Sequence, residues 1–110
     1  MRIYIAGHRG MVGSAVWRYF ESSNEELELI GRTSKELDLR NHAAVADFIA
    51  AQKPDVIINA AARVGGILAN NAYPYQFLMD NMQIQNNLIS ASVALGINKF
   101  VFLGSSCIYP

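Results

Sequence analysis

The chain has 110 residues, 52% of them hydrophobic and 16% charged, which bounds it to one domain at most, folded rather than disordered. Nine basic residues balance nine acidic ones, so neither a nucleic-acid surface nor a patch for acidic membranes is indicated. No apolar run reaches membrane-spanning length, the N-terminal strand lacks a signal-peptide layout, and the one cysteine, Cys107, excludes an internal disulfide and fits a reducing cytoplasm.

Residues 3–6 read as a short apolar strand that breaks into Gly7-His8-Arg9-Gly10-Met11-Val12-Gly13, then a helix running to about residue 22. Strand, glycine loop and helix in that order are what a Rossmann dinucleotide site requires. Gly7 permits the tight turn, Gly10 has no Cβ to block a pyrophosphate, and Gly13 lets the helix pack closely on the sheet. The helix N-terminus offers unpaired N–H groups and a partial positive charge to phosphates. The spacing is G-x-x-G-x-x-G rather than G-x-G-x-x-G, and a plain strand-to-helix turn is the alternative reading.

A second strand is expected over residues 27–30, ending at Gly31. Asn41 is a plausible N-cap for a helix carrying Val45, Phe48 and Ile49 on one face. Pro54-Asp55 ends that segment before Val56-Ile57-Ile58, a β-branched run suited to burial on both faces of a parallel sheet. Ala60-Ala61-Ala62 follows, small enough to let a cofactor ribose pass close, though tight packing explains it nearly as well. After Gly65-Gly66 and a long loop, a helical pattern spans about residues 75–95 and stops at Gly96. Residues 100–103 make a last strand, running into Gly104-Ser105-Ser106-Cys107-Ile108-Tyr109-Pro110. The expectation is α/β: about four parallel strands with right-handed helical crossovers, the N-terminal part of a Rossmann-type doubly wound sheet. It stops directly after a strand, which reads as the truncated piece of a longer protein.

The end of the second strand speaks to the nucleotide. An NAD site usually carries Asp or Glu there for the ribose hydroxyls, whereas this chain runs Ile30-Gly31-Arg32-Thr33-Ser34-Lys35 before Glu36. Arg suits a 2′-phosphate, and Arg9 beside a helix N-terminus makes sense if an anion sits there. Arg9, Arg32 and Lys35 can also be ordinary solvated charges. NADP(H) is expected over NAD(H), and no metal site is visible, since His8 and His42 lack ligand spacing.

Taken together, three segments carry a resemblance. They are the loop Ile5 through Ser14, Ala60-Ala61-Ala62-Arg63-Val64-Gly65-Gly66-Ile67 with Ala69-Asn70-Asn71, and Leu103-Gly104-Ser105-Ser106-Cys107-Ile108-Tyr109-Pro110. They resemble the extended short-chain dehydrogenase/reductase superfamily, and within it the epimerase-reductases that convert GDP-4-keto-6-deoxy-D-mannose to GDP-L-fucose. Arg63 stands where that family usually has Lys. The resemblance implies NADP(H), held by Gly7, His8, Arg9, Gly10, Met11, Val12, Gly13, Arg32, Ser34, Lys35, Ala60, Ala61, Ala62, Leu103, Gly104 and Ser106. It also implies Asp38 for the adenine amino group and Leu39 for its face, although Asp38 could equally cap the next helix.

The resemblance further implies that Ser105 donates a hydrogen bond to the substrate carbonyl, and that Cys107 moves protons at C3 and C5. A thiol near pKa 8.5 suits that role if its site favours the thiolate; a small buried hydrophobe is the bland reading. Asn81 matches a superfamily asparagine tied to proton relay. The family's Tyr-x-x-x-Lys pair and substrate domain are expected beyond Pro110, so residues 1–110 are read as the N-terminal portion of an NADP(H)-binding domain. A GDP-sugar substrate and a homodimer, joined through the long helix, are likewise implied, although the apolar face of that helix could be satisfied by the sheet instead. Another nucleotide-sugar epimerase or dehydratase, or a non-catalytic dinucleotide-binding domain, are the competing readings.

Overall fold

The computed structural model describes residues 1–23, 26–61, 74–97 and 99–102. Among these described residues four strands, β1 (Arg2–Ala6), β2 (Glu28–Ile30), β3 (Val56–Asn59) and β4 (Lys99–Phe102), alternate with three helices, α1 (Met11–Glu21), α2 (His42–Gln52) and α3 (Pro74–Ala94). All pairings are parallel, in the order β2-β1-β3-β4. The expected Rossmann-like α/β sheet is therefore present. Its boundaries differ from the expected ones by a residue: Leu27 packs beside the sheet without joining β2, and β4 begins at Lys99 and is described as far as Phe102, Leu103 lying outside the described residues.

The central strands β1 and β3 are covered on both faces because they are apolar on both, whereas the edge strand β4 leaves Val101 and Phe102 exposed. Ile3, Ile5 and Ile58 meet Val16, Trp17 and Phe20 of α1 on one side. Tyr4, Ala6 and Ile57 meet Val45 and Ile49 of α2 and Ile84, Leu88 and Ala91 of α3 on the other. Alternation along each strand sends successive side chains to opposite layers, so the continuous run Val56-Ile57-Ile58 serves both.

Local signals stop the helices where the sequence places them. Asn41 caps α2, its side chain accepting from the Ala44 N–H at 3.1 Å. Gly96, at φ +68°, ends α3 in a Schellman motif: Gly96 N–H donates to the Val93 carbonyl and Ile97 N–H to that of Ser92.

The glycine loop shows one departure. Gly13 is buried, but the close approach it permits is to the loop itself, not to a strand. A Cβ there would stand 1.9 Å from the Gly7 carbonyl oxygen. Gly7, at φ +76°, provides the closeness to the sheet: a Cβ on it would lie 2.7 Å from Ala61 backbone atoms just past β3.

Candidate functional site

Strand order reverses between β1 and β3: the chain leaves β1 toward β2 on one side and returns past it to β3 on the other. In open parallel sheets the crevice beyond the carboxyl ends of such strands is where ligands sit. Here a cavity of about 560 Å³ occupies that position, within the range of small-molecule sites. Gly7 and Gly10 wall it from the β1 side, Ala60 and Ala61 from the β3 side, and Arg32 and Ser34 from the end of β2. Asp38 and Leu39 close it on the loop before α2. Eight residues expected from the sequence to touch a cofactor thus share one cavity.

Its β1 end is built from backbone. Gly10 N–H donates to Gly7 O at 3.0 Å, which closes the turn. Gly10 is itself the N-cap of α1, with no side-chain cap and no acid in the first turn, so the positive end of the helix is left for an outside anion. A Cβ on Gly10 would meet no neighbour closer than Gly7 O at 3.4 Å. The space above it is open, as a phosphate would need. The residues present therefore fit a dinucleotide.

Other loop residues stand elsewhere. The His8 ring lies 5.3 Å from that of Trp17 and against Gly31, where any Cβ would come within 2.6 Å of it. Its Nδ1 is buried without a hydrogen-bond partner among the described residues. Arg9, Met11, Val12 and Lys35 are exposed and off the cavity wall. Ala62, Leu103, Gly104, Ser105, Ser106 and Cys107 lie outside the described residues, as do Arg63, Asn70 and Asn71. Asn81 is half-buried on α3.

The β2 end of the cavity is organised by a small reciprocal turn. Thr33 N–H donates to Glu36 Oε1 at 2.8 Å, and Glu36 N–H donates to Thr33 Oγ1 at 3.3 Å, the capping-box arrangement. The Thr33 amide, then its hydroxyl, holds the Glu36 carboxyl below the usual range, with Arg32 and Arg9 contributing charge. The first acid after β2 is therefore engaged by its own turn. Arg32, half-buried, donates through Nη1 to Gly31 O at 2.8 Å and lies over the Phe48 ring.

Asp38 does not cap α2; that cap belongs to Asn41. Asp38 instead accepts from the Arg40 amide at 3.0 Å and from its guanidinium twice at 3.1 Å. That guanidinium holds the Asp38 carboxyl below its ordinary value. Leu37, Arg40 and Ile84 also line the cavity and were not singled out from the sequence. Ile84 is readable in principle, on the apolar face of α3 with Leu88 and Ala91. Arg40 is reached only through Asp38. Two buried asparagines hold the walls: Asn59 Oδ1 accepts from Ala61 N–H, and Asn87 Nδ2 donates to the Leu39 carbonyl.

The profile of the family described as NAD dependent epimerase/dehydratase matches residues 3–110. The chain belongs to that family. It is 52% identical to the GDP-L-fucose synthase of Escherichia coli (strain K12) over 99% of this chain and 34% of that protein. Among solved structures, it superposes on MlghC, a GDP-mannoheptose C4 reductase from Campylobacter jejuni with NADP bound. The TM-score is 0.89 at 38% identity, over 99% of this chain and 34% of that one. A GDP-L-fucose synthetase from Naegleria fowleri bound to NADP gives a TM-score of 0.82 at 26% identity, over 99% of this chain and 32% of that one. The chain spans about a third of the length of these relatives. The resemblance drawn from the sequence motifs is borne out by these epimerase/dehydratase-family relatives.

Proposed function

We propose that this chain is the NADP(H)-binding N-terminal portion of an epimerase-reductase that converts GDP-4-keto-6-deoxy-D-mannose to GDP-L-fucose. The observation that carries the reading is the cavity at the switch between β1 and β3. There an uncapped glycine-loop helix, Arg32 with Ser34, and the Asp38–Leu39 loop converge, in a chain 52% identical to a GDP-L-fucose synthase. Gly7 and Gly10 admit the pyrophosphate to the α1 amides, and Arg32 and Ser34 take the 2′-phosphate, with Arg9 and Lys35 adding charge at the rim. Asp38 and Leu39 receive the adenine, and Ala60 to Ala62 pass the ribose. When bound, NADPH supplies the hydride for the C4 ketone.

Within this proposal Ser105 donates a hydrogen bond to the C4 carbonyl, which grows stronger as negative charge develops on that oxygen. Cys107, as thiolate, removes the carbonyl-acidified protons at C3 and C5 and a proton is returned from the opposite side. The tyrosine-lysine pair that protonates the C4 oxygen is assigned to sequence beyond Pro110, so residues 1–110 alone do not turn over. The single cysteine accords with a cytoplasmic enzyme. The exposed side chains of Tyr75, Leu78, Met79, Met82, Ile89 and Val93 on α3 accord with a homodimer in which two copies of this helix pair.

One observation favours a second reading. The 38% identity to a GDP-mannoheptose C4 reductase accords equally with reduction of another GDP-keto-sugar without epimerisation. The test is to incubate the full-length protein with GDP-4-keto-6-deoxy-D-mannose and NADPH or NADH in D2O. NADPH-preferred formation of GDP-L-fucose carrying deuterium at C3 and C5, lost in Cys107→Ser, supports the first reading. Reduction without deuterium at those carbons passes the function to the C4-reductase reading; no oxidation of bound NADPH overturns both.

A further inference from the structure

Arg32 is held before any ligand arrives. Its Nη1 donates to the Gly31 carbonyl at 2.8 Å, and its guanidinium carbon lies 5.2 Å from the centroid of the Phe48 ring on α2, inside the range of a cation–π contact. Phe48 is itself fixed from below. It meets the Tyr4 ring edge-on, 5.0 Å between centroids at 64°, and Tyr4 on the central strand β1 is 1% exposed. A continuous stack therefore runs from the middle of the sheet, through α2, to the guanidinium on the cavity wall. The nearest acid in sequence, Glu36, accepts at Oε1 from the Thr33 amide.

An arginine side chain loses rotamer freedom when it grips a phosphate, and a surface that orders it beforehand removes part of that cost. A dinucleotide without a 2′-phosphate makes no use of Arg32 and gains nothing from the ordering. We infer that Phe48 is a positioning residue that sets preference for the 2′-phosphorylated dinucleotide, by holding the Arg32 guanidinium against its ring. The inference rests on the reading of Arg32 as the 2′-phosphate ligand. Phe48 touches neither reacting atoms nor the cavity; it acts through Arg32. A purely structural Phe48, packed against the α2 side of the core, would loosen both dinucleotides alike.

The experiment measures dissociation constants of NADPH and NADH for the full-length protein and for Phe48→Leu, Phe48→Met, Phe48→Tyr and Arg32→Ala, with thermal unfolding of each. Met keeps flexible apolar bulk without a ring face, so it stands in where Leu disturbs folding. Loss of the ring should weaken NADPH about five- to tenfold and NADH less than twofold. Phe48→Tyr should restore the wild-type ratio, and Phe48→Leu should add nothing in an Arg32→Ala background. Equal weakening of both dinucleotides, or an unchanged ratio while Arg32→Ala abolishes the preference, overturns the inference alone. An Arg32→Ala protein that still prefers NADPH overturns the reading of Arg32 beneath it, and this inference with it.

Discussion

Gly10 and Gly13 are three residues apart in one loop, and replacing each by alanine should produce opposite failures. At Gly13 the new Cβ would stand 1.9 Å from Gly7 O, 2.7 Å from Gly7 C and 3.0 Å from the His8 Cα. All three are backbone atoms, so no side-chain rotation relieves them. Only retreat of α1 from the loop does, and Val16, Trp17 and Phe20 of that helix are wedged against Ile3, Ile5 and Ile58. Overpacking of a well-filled interior costs about 1–3 kcal/mol, and an overlap with fixed backbone belongs at the upper end. Alanine in a helix returns at most about 1 kcal/mol over glycine. The net loss is about 2 kcal/mol, read as a lower urea midpoint at unchanged slope.

At Gly10 the new Cβ meets only Gly7 O at 3.4 Å, an ordinary contact, on a backbone at φ −72° that any residue adopts. Alanine is the poorer N-cap, so a loss of up to about 1 kcal/mol is expected. Its methyl, however, projects into the space assigned to the pyrophosphate, and NADPH affinity should fall at least about tenfold, an energy of about 1.4 kcal/mol. Urea unfolding without cofactor, beside fluorescence titration with NADPH, separates the two cases. Gly13→Ala as stable as the wild type would refute the clash argument. Gly10→Ala with unchanged NADPH affinity would refute the placement of the phosphates.

Asn41→Ala leaves the Ala44 N–H without its acceptor and should lower stability by about 1 kcal/mol, measured by the same urea titration, whereas Asn41→Asp should cost little. Arg40, by its side-chain bond first, holds Asp38 below its ordinary 3.8, and the Thr33 amide holds Glu36 below 4.5. Both are more acidic folded than unfolded, so their contribution is present above those values and is lost as pH falls through the folded ones. The stability gap between wild type and Asp38→Asn should therefore be small but constant from pH 7 to about 5, since the pair is exposed and screened. It should close below about pH 4, and a gap that widens on acidification would contradict the assignment. Met82 is 50% exposed on α3, and Met82→Glu should convert the proposed homodimer to monomer by sedimentation velocity without loss of NADPH binding.

What the sequence made legible was whatever a short stretch decides by itself. The β-branched run Val56-Ile57-Ile58, the Asn41 cap and the Gly96 stop are local choices, and each stands where the residues placed it. Gly7, Gly10, Arg32, Ser34, Ala60 and Ala61 could be named as site residues because each follows the carboxyl end of a recognisable strand, where topology gathers them, whereas Asp38 and Leu39, on the loop before α2, are named through the family resemblance. Illegible were partners that only the folded path supplies. Gly31 reads as a strand terminator, yet it is also the gap that admits the His8 ring. Gly13 reads as a contact with the sheet, yet its neighbour is the loop that precedes it.

Glu36 is the more instructive case, because its partner is written in the sequence. Thr33-x-x-Glu36 is a capping-box pattern, and it changes what the first acid after β2 signifies. An acid free at that place would accept from ribose hydroxyls and repel a 2′-phosphate. One whose Oε1 accepts from the Thr33 amide keeps its charge but is oriented by its own turn, while the adjacent Arg32 stays fixed over Phe48. At this strand end the local turn decides where the charges are held: Glu36 against the Thr33 amide and Arg32 over Phe48 on the cavity wall. Counting acids and bases along the strand end does not reveal that; their hydrogen-bond partners do.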